Sequence, residues 1–355
     1  RIVEKLFQKT VPGLEEPVPE SALWCGRKVR VCDGTSILMS DTADNQQAYP
    51  QHSNQAPGCG FPIAKLVVMF SLSSGAVVNA LISAFNTSEL VMARQLYDQL
   101  NPGEVMLADS AFGNYGDMVL IQRARADGVF RKHHARSTDF RRGKKLGIGD
   151  HIVTWHKPQR CPKAIPPEVW VQLAESLQVR EVHLRITQAG FRPQEIILVT
   201  TLLDAQVYTK AQLAKLYQQR WQAAEVNLRH LKTTLSLEMV LAKTPAMVRK
   251  EIWMHLMAYN LLRKLMWQAA QSAHVAPLSL SVQGTRQHFQ QLVPLLAHAL
   301  RQQRQRLFEQ LLAVLSTEQV PFRPNRVEPR VKKRRPKAYP WMQQPRSVLQ
   351  AKLVA

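Results

Sequence analysis

Acidic residues are scarce in this 355-residue chain: 26 Asp and Glu stand against 47 Lys and Arg, a formal net charge of +21. Such a balance points to a polyanionic partner, either nucleic acid or an anionic membrane surface. Long apolar runs are lacking as well. The longest uncharged stretch, Leu66 to Ser88, is broken by serines, asparagines and Gly75 and alternates as strands do, which argues against a membrane span and leaves nucleic acid as the expected partner. The four cysteines, Cys25, Cys32, Cys59 and Cys161, are too few for a disulfide framework, and none stands at a Cys-x-x-Cys spacing for zinc, so a reducing cytoplasm is expected. There is no Gly-rich phosphate loop, no His-Glu-x-x-His and no nucleophile elbow, which removes NTPases, zincins and α/β-hydrolases as first readings. No secretory signal is recognisable, and the chain opens on Arg1, as an incomplete product would.

What is present is a globular composition, 45% hydrophobic and 21% charged, in a length that suits one large domain or two ordinary ones. Residues 1–28, rich in Pro and Glu, read as a linker or the remnant of an upstream domain. Strands are expected over Lys28–Met39, Ile63–Leu72, Ala76–Ala84 and Gly103–Asp109, with helices over Thr87–Leu100 and Tyr115–Ala126 and a strand near Val129. Between Asp41 and Pro62 lies a long polar loop. Residues 131–207 begin with a basic stretch and continue as β-like runs (His151–Trp155, Val179–Thr187, Glu195–Leu203), a β insertion in an α/β fold that starts at 29–130 and resumes at 208–275. Thr209 and Gln212 form a capping-box pattern ahead of a helix to about Thr234. Thr244-Pro245 opens a second helix, and a third helical region, within 276–320, bends at Pro294. Residues 321–355 read as an extended basic tail.

Carboxylates are the candidate chemistry. Asp33 stands in an apolar strand after Val29 and Val31, and Asp109 ends the strand Val105-Met106-Leu107-Ala108. An acidic group at such a place costs several kcal/mol unless a cation or hydrogen bonds compensate it. Strand-end carboxylates in one sheet can meet, and their hard oxygens suit Mg²⁺. Each has a plainer alternative: Asp33 opening a turn with Gly34, Asp109 capping the next segment. Glu225, Arg229 and Lys232 share one helix face, where the plainer alternative is a solvated salt-bridge face.

Taken together, Asp33-Gly-Thr, the loop ending Pro57-Gly-Cys-Gly-Phe-Pro62, Asp109 in Ala-Asp-Ser-Ala-Phe-Gly-Asn-Tyr, and Tyr217…Arg220…Glu225…Lys232 resemble the insertion-sequence-4 family of bacterial transposases. The similarity continues through Lys243-Thr-Pro-Ala-Met-Val-Arg-Lys250 to Tyr259-Asn-Leu-Leu-Arg263. It implies a ribonuclease-H-like core with a β insertion before the last catalytic helix, followed by C-terminal helices and the tail. It also implies a DDE triad of Asp33, Asp109 and Glu225 holding two Mg²⁺ ions, for which Mn²⁺ would substitute, about 3.5–4 Å apart. The partners implied are double-stranded DNA, as element ends and target, and a second copy of the chain in a synaptic homodimer. No membrane is involved.

Tyr217, Arg220, Arg229 and Lys232 would then position DNA phosphates. Arg141, Arg142, Lys144, Lys145, Lys332, Lys333, Arg334 and Arg335 would make non-specific backbone contacts. Some members of the family pass through a DNA hairpin, helped by an aromatic side chain that takes up a flipped base; Trp155 is the candidate and Trp170 the second, with packing in the insertion's core as the alternative. Two departures from the family pattern stand out. The signature spacing Tyr, two residues, Arg, three residues, Glu, six residues, Lys has four residues, Trp221 to Ala224, where three are usual. One extra residue turns Arg220 by about 100° relative to Glu225 on a regular helix unless a bulge absorbs it. Only thirty-two residues precede Asp33, where members usually carry a helical DNA-binding domain. The alternative function is an inactive or truncated remnant that only binds DNA.

Overall fold

The computed structural model describes residues 2–15, 18–162, 165–186, 194–321 and 340–354. The chain forms a mixed α/β structure on one ten-stranded sheet. Its strands are β1 (Val29–Met39), β2 (Ile63–Ser71), β3 (Val77–Ala84), β4 (Val105–Ala108) and β5 (Asp127–Arg131), then β6 (Lys144–Gly147), β7 (Asp150–His156), β8 (Ser176–Ile186), β9 (Gln194–Thr200) and β10 (Met239–Val240). The spatial order is β3-β2-β1-β4-β5-β9-β8-β7-β6, with β10 pairing the far end of β1. β2 and β3 form an antiparallel meander on β1, whereas β4 and β5 run parallel to it.

Period-two alternation divides the sheet's side chains between two apolar layers. From β1 and β4, Val29, Val31, Ile37, Val105 and Leu107 point to the face covered by the helical segment from Lys210 to Thr234 and the long helix Pro245–Ala273. Cys32, Met106 and Ala108 point to the opposite face, under helices Glu89–Tyr97 and Tyr115–Arg123. The β insertion is no separate lobe. Its last strand, β9, pairs antiparallel with β5 (Phe130 opposite Val199), so β9 to β6 extend the central sheet.

The expected strands and the helices after Thr209 and Thr244 are all present, within a few residues. Thr209 and Gln212 close their capping box, the Thr209 amide donating to Gln212 Oε1 at 2.8 Å. Residues 1–28, expected as a linker or the remnant of an upstream domain, contain helix Ile2–Thr10, whose fully buried Phe7 packs on Trp253 at 5.0 Å between ring centroids. Three expectations are corrected. The polar loop after β1 contains helix Ala43–Ala48, capped by Thr42. The third helical region is not one helix but two, Val282–His298, which contains Pro294, and Arg301–Thr317, parted at Ala299 and Leu300. Within the expected extended tail, Arg346–Val354 is helical, and Lys332, Lys333, Arg334 and Arg335 lie outside the described residues. Among the described residues no helix is long and apolar enough to cross a membrane.

Candidate active site

β1 and β4 are in register with Val31 opposite Leu107. Two residues further along each strand direction stand Asp33 and Asp109, on the same face and at the same level, near the C-terminal ends of parallel strands. The Gly34 amide donates to Asp33 Oδ1 at 2.9 Å, and the Ala111 amide donates to Asp109 Oδ1 at 2.8 Å. The turn-forming roles open from sequence are therefore real local bonds, each using one oxygen of its carboxylate. Burial is the largest influence on Asp33, whose pKa is pushed up to about 6; the Gly34 amide and the Arg220 charge oppose the rise, while Asp109 and Glu89 add to it. Asp33 thus has the charges of Asp109 and Glu89 set against that of Arg220.

The third carboxylate comes from the helical layer. Helix Lys210–Trp221 passes into a π-helical turn, Gln222–Val226, which carries Glu225. A π turn accommodates one residue more than an α turn, and it falls where this chain has four residues between Arg220 and Glu225. A second π turn, His230–Thr234, closes with the Leu235 amide on the His230 carbonyl at 3.0 Å and carries Lys232. Asp33, Gly34, Glu225, Arg229, Lys232 and Glu238 line one cleft. Glu225 and Arg229 are exposed and Lys232 is half-buried.

Tyr217 is buried, with the Arg220 guanidinium 5.3 Å over its ring. Burial raises its hydroxyl pKa; Arg220 and Arg131 oppose that, and the charge of Asp109 adds to it. Tyr217 and Arg220 therefore stand beside the two aspartates, and the Nε of Arg220 is buried without a hydrogen-bond partner among the described residues. Of the six residues of the signature and triad, Asp33, Glu225 and Lys232 line the cleft, and Asp109, Arg220 and Tyr217 lie within electrostatic reach of one another beside Asp33.

The other candidates do not join them. Trp155 is packed in the core: its indole N–H donates to Glu181 at 3.1 Å and the Arg136 guanidinium covers its ring at 3.8 Å. Trp170 is also buried, edge-on to Tyr115. The structure thus gives both tryptophans the packing role, because the sheet continues through β8 and β9 and provides a core beneath them. Arg141, Arg142, Lys144 and Lys145 lie exposed on the outer hairpin around β6. Glu89 and Glu238 were not singled out from sequence. The only signal for Glu89 was an acidic residue at a helix start, which is common for reasons of helix polarity alone.

No group of three or more His, Cys, Asp or Glu among the described residues is already gathered tightly enough to hold an ion. The donor set nevertheless fits a hard divalent cation. It consists of carboxylate oxygens, and mutual repulsion around Asp33 is the force that a bound cation would reverse.

A family model described as Transposase DDE domain matches residues 24–261. Among characterised relatives, Transposase InsG for insertion sequence element IS4 of Escherichia coli (strain K12) is 26% identical over 343 residues, 95% of this chain and 74% of the relative. Among solved structures, a cryo-EM structure of the piggyBac transposase synaptic complex with hairpin DNA aligns with a TM-score of 0.41 and 8% identity, over 80% of this chain. This chain spans 57% of the length of that one. With the family match extending over about two thirds of its residues, from ahead of β1 into the Pro245–Ala273 helix, the chain belongs to the DDE transposases, of the insertion-sequence-4 type.

Proposed function

We propose that this chain cleaves DNA strands at the ends of an insertion element and transfers them to target DNA, using Asp33, Asp109 and Glu225 to hold divalent metal on a ribonuclease-H-like core. In this reading residues 29–130 and 208–275 form the core and 131–207 the insertion that extends its sheet. The observation that carries the proposal is the shared level of Asp33 and Asp109 on parallel strands, with Glu225 lining the same cleft as Asp33. Mg²⁺ or Mn²⁺ bound there would neutralise charge on the scissile phosphate and make a bound water or 3′-hydroxyl a better nucleophile.

The chain's own residues have separable tasks. Asp33, Asp109 and Glu225 supply oxygen donors and no covalent chemistry, which agrees with the lack of any nucleophile motif. Lys232 and Arg229 present cations on the rim with Glu225 and would hold the DNA backbone there. Arg220, stacked over Tyr217, is fixed beside Asp33 and Asp109, where its fork can take a phosphate oxygen. Double-stranded DNA as substrate agrees with the +21 charge. Two copies of the chain, one on each element end, are the assembly that the reaction requires.

The test is cleavage of labelled DNA carrying the element's own end, with Mg²⁺ or Mn²⁺, by this chain and by Asp109→Asn. End-specific cleavage that requires metal and is abolished by Asp109→Asn is expected. Binding to DNA without cleavage, unchanged by metal or by the substitution, would overturn the proposal in favour of a DNA-binding remnant.

A further inference from the structure

β4 ends at Ala108, and its pairing with β1 stops at Val31, whereas β1 runs on to Met39. Between Val31 and Leu38, where β10 takes over the pairing, the β4 side of β1 is therefore an open edge, around which groups from the two faces of the sheet can meet. One face contributes Asp33, Asp109 and Glu225. From the other comes Glu89, the first residue of helix Glu89–Tyr97. Its carboxylate lies over Gly34: a Cβ added to Gly34 would stand 2.8 Å from Glu89 Cδ and 2.9 Å from Oε1. Only a residue without a side chain at position 34 leaves that room.

Helix polarity accounts for an acidic residue in a first turn. It does not account for this carboxylate being laid against the strand that carries Asp33. Among the described residues Glu89 makes no hydrogen bond or ion pair, and Arg94 of the same helix is engaged elsewhere, its Nε donating to Asp117 Oδ1 at 2.6 Å. A cation bound between these carboxylates would offset the repulsion of like charges held close together.

We propose that Glu89 is a fourth carboxylate of the metal-binding cleft, holding a divalent cation with Asp33 from the opposite face of the sheet. This rests on the reading of the cleft as a metal site.

Mn²⁺ titration of the full chain without DNA, followed by the electron paramagnetic resonance signal of free Mn²⁺, tests it with wild type, Glu89→Gln, Gly34→Ala and Asp109→Asn. Glu89→Gln is expected to weaken Mn²⁺ binding about tenfold or more. Gly34→Ala, which keeps every carboxylate but displaces Glu89, should weaken it comparably, with the circular dichroism of both variants as in wild type. Mn²⁺ binding as in wild type by Glu89→Gln, while Asp109→Asn loses it, would overturn the role of Glu89 alone. Absence of Mn²⁺ binding by wild type, or binding untouched by Asp109→Asn, would overturn the reading of the cleft and this proposal with it.

Discussion

Arg263 donates through Nη2 to Asn227 Oδ1 at 2.5 Å, two residues past Glu225 and between the two π turns. Its Nε donates to the Tyr259 hydroxyl at 2.8 Å, and that hydroxyl donates to the Gly75 carbonyl at 2.9 Å. Asn260 takes the Val77 amide at 2.9 Å and donates to the Val77 carbonyl at 2.8 Å. All three side chains are buried. The Tyr259-Asn-Leu-Leu-Arg263 run is therefore a buttress joining β3 to the Glu225-bearing helix. Gly75, at φ +69 with Arg263 Cζ 2.9 Å from where a Cβ would stand, leaves space for it.

Replacing Arg263 by Ala strips Asn227 and Tyr259 of a charged partner and opens a cavity. A loss of about 2–4 kcal/mol in unfolding free energy is expected. Urea unfolding measures it, and Arg263→Lys, which keeps the charge but loses the planar fork, should fall between. An unchanged urea midpoint for Arg263→Ala would contradict the buttress.

A second buried network lies in the insertion. Glu181 accepts from Trp155 at 3.1 Å and from Thr138 at 2.7 Å, with Lys132 at 3.7 Å and His151 at 3.5 Å. Burial lowers the pKa of Lys132, and Glu181 opposes that fall. Glu181→Gln leaves the lysine buried without its counter-charge, so a cost of about 3–5 kcal/mol and a shifted tryptophan fluorescence are expected. The pair Lys132→Met with Glu181→Leu should cost less than the sum of the single changes, which a double-mutant cycle by urea unfolding would show.

His230 gives a pH dependence of defined sign. Burial, then the charges of Arg263 and Arg229, depress its pKa to about 4. The unfolded chain, with an ordinary histidine near pH 6.5, binds the proton more readily than the folded one between these values. Stability is therefore complete above about pH 6.5 and falls as pH drops toward 4, by up to about 3 kcal/mol. Urea midpoints at pH 7, 5.5 and 4.5 should decline in wild type more steeply than in His230→Gln; parallel declines would rule out His230 as the source.

The exposed hairpin around β6 tests the DNA contacts. Arg141 and Arg142 share Asp139, at 2.9 and 3.5 Å, yet their side chains are 89% and 85% exposed, so both stay available to phosphates. Changing Arg141, Arg142, Lys144 and Lys145 together to Gln should weaken DNA binding without sequence preference. It should also reduce the slope of log affinity against log salt by about 3 to 4 if all four meet phosphates. Fluorescence anisotropy across a salt series reads the slope directly, and an unchanged slope would place the DNA elsewhere.

The sequence by itself determined the strands of the central sheet, the helices after Thr209 and Thr244, and the acidic residues worth attention. Alternation, caps and the cost of placing a carboxylate in an apolar strand are local properties, legible within a dozen residues. Tertiary structure alone decided the rest. That Asp33 and Asp109 stand level depends on β4 pairing parallel to β1 across more than sixty intervening residues. The burial of Trp155 depends on the insertion continuing the central sheet, and the ordering of Phe7 depends on Trp253. The approach of Glu89 to Gly34 depends on helix Glu89–Tyr97 packing across β2 and β3. Those are relations between distant segments, set by pairing and packing free energy, and no local pattern of residues encodes them.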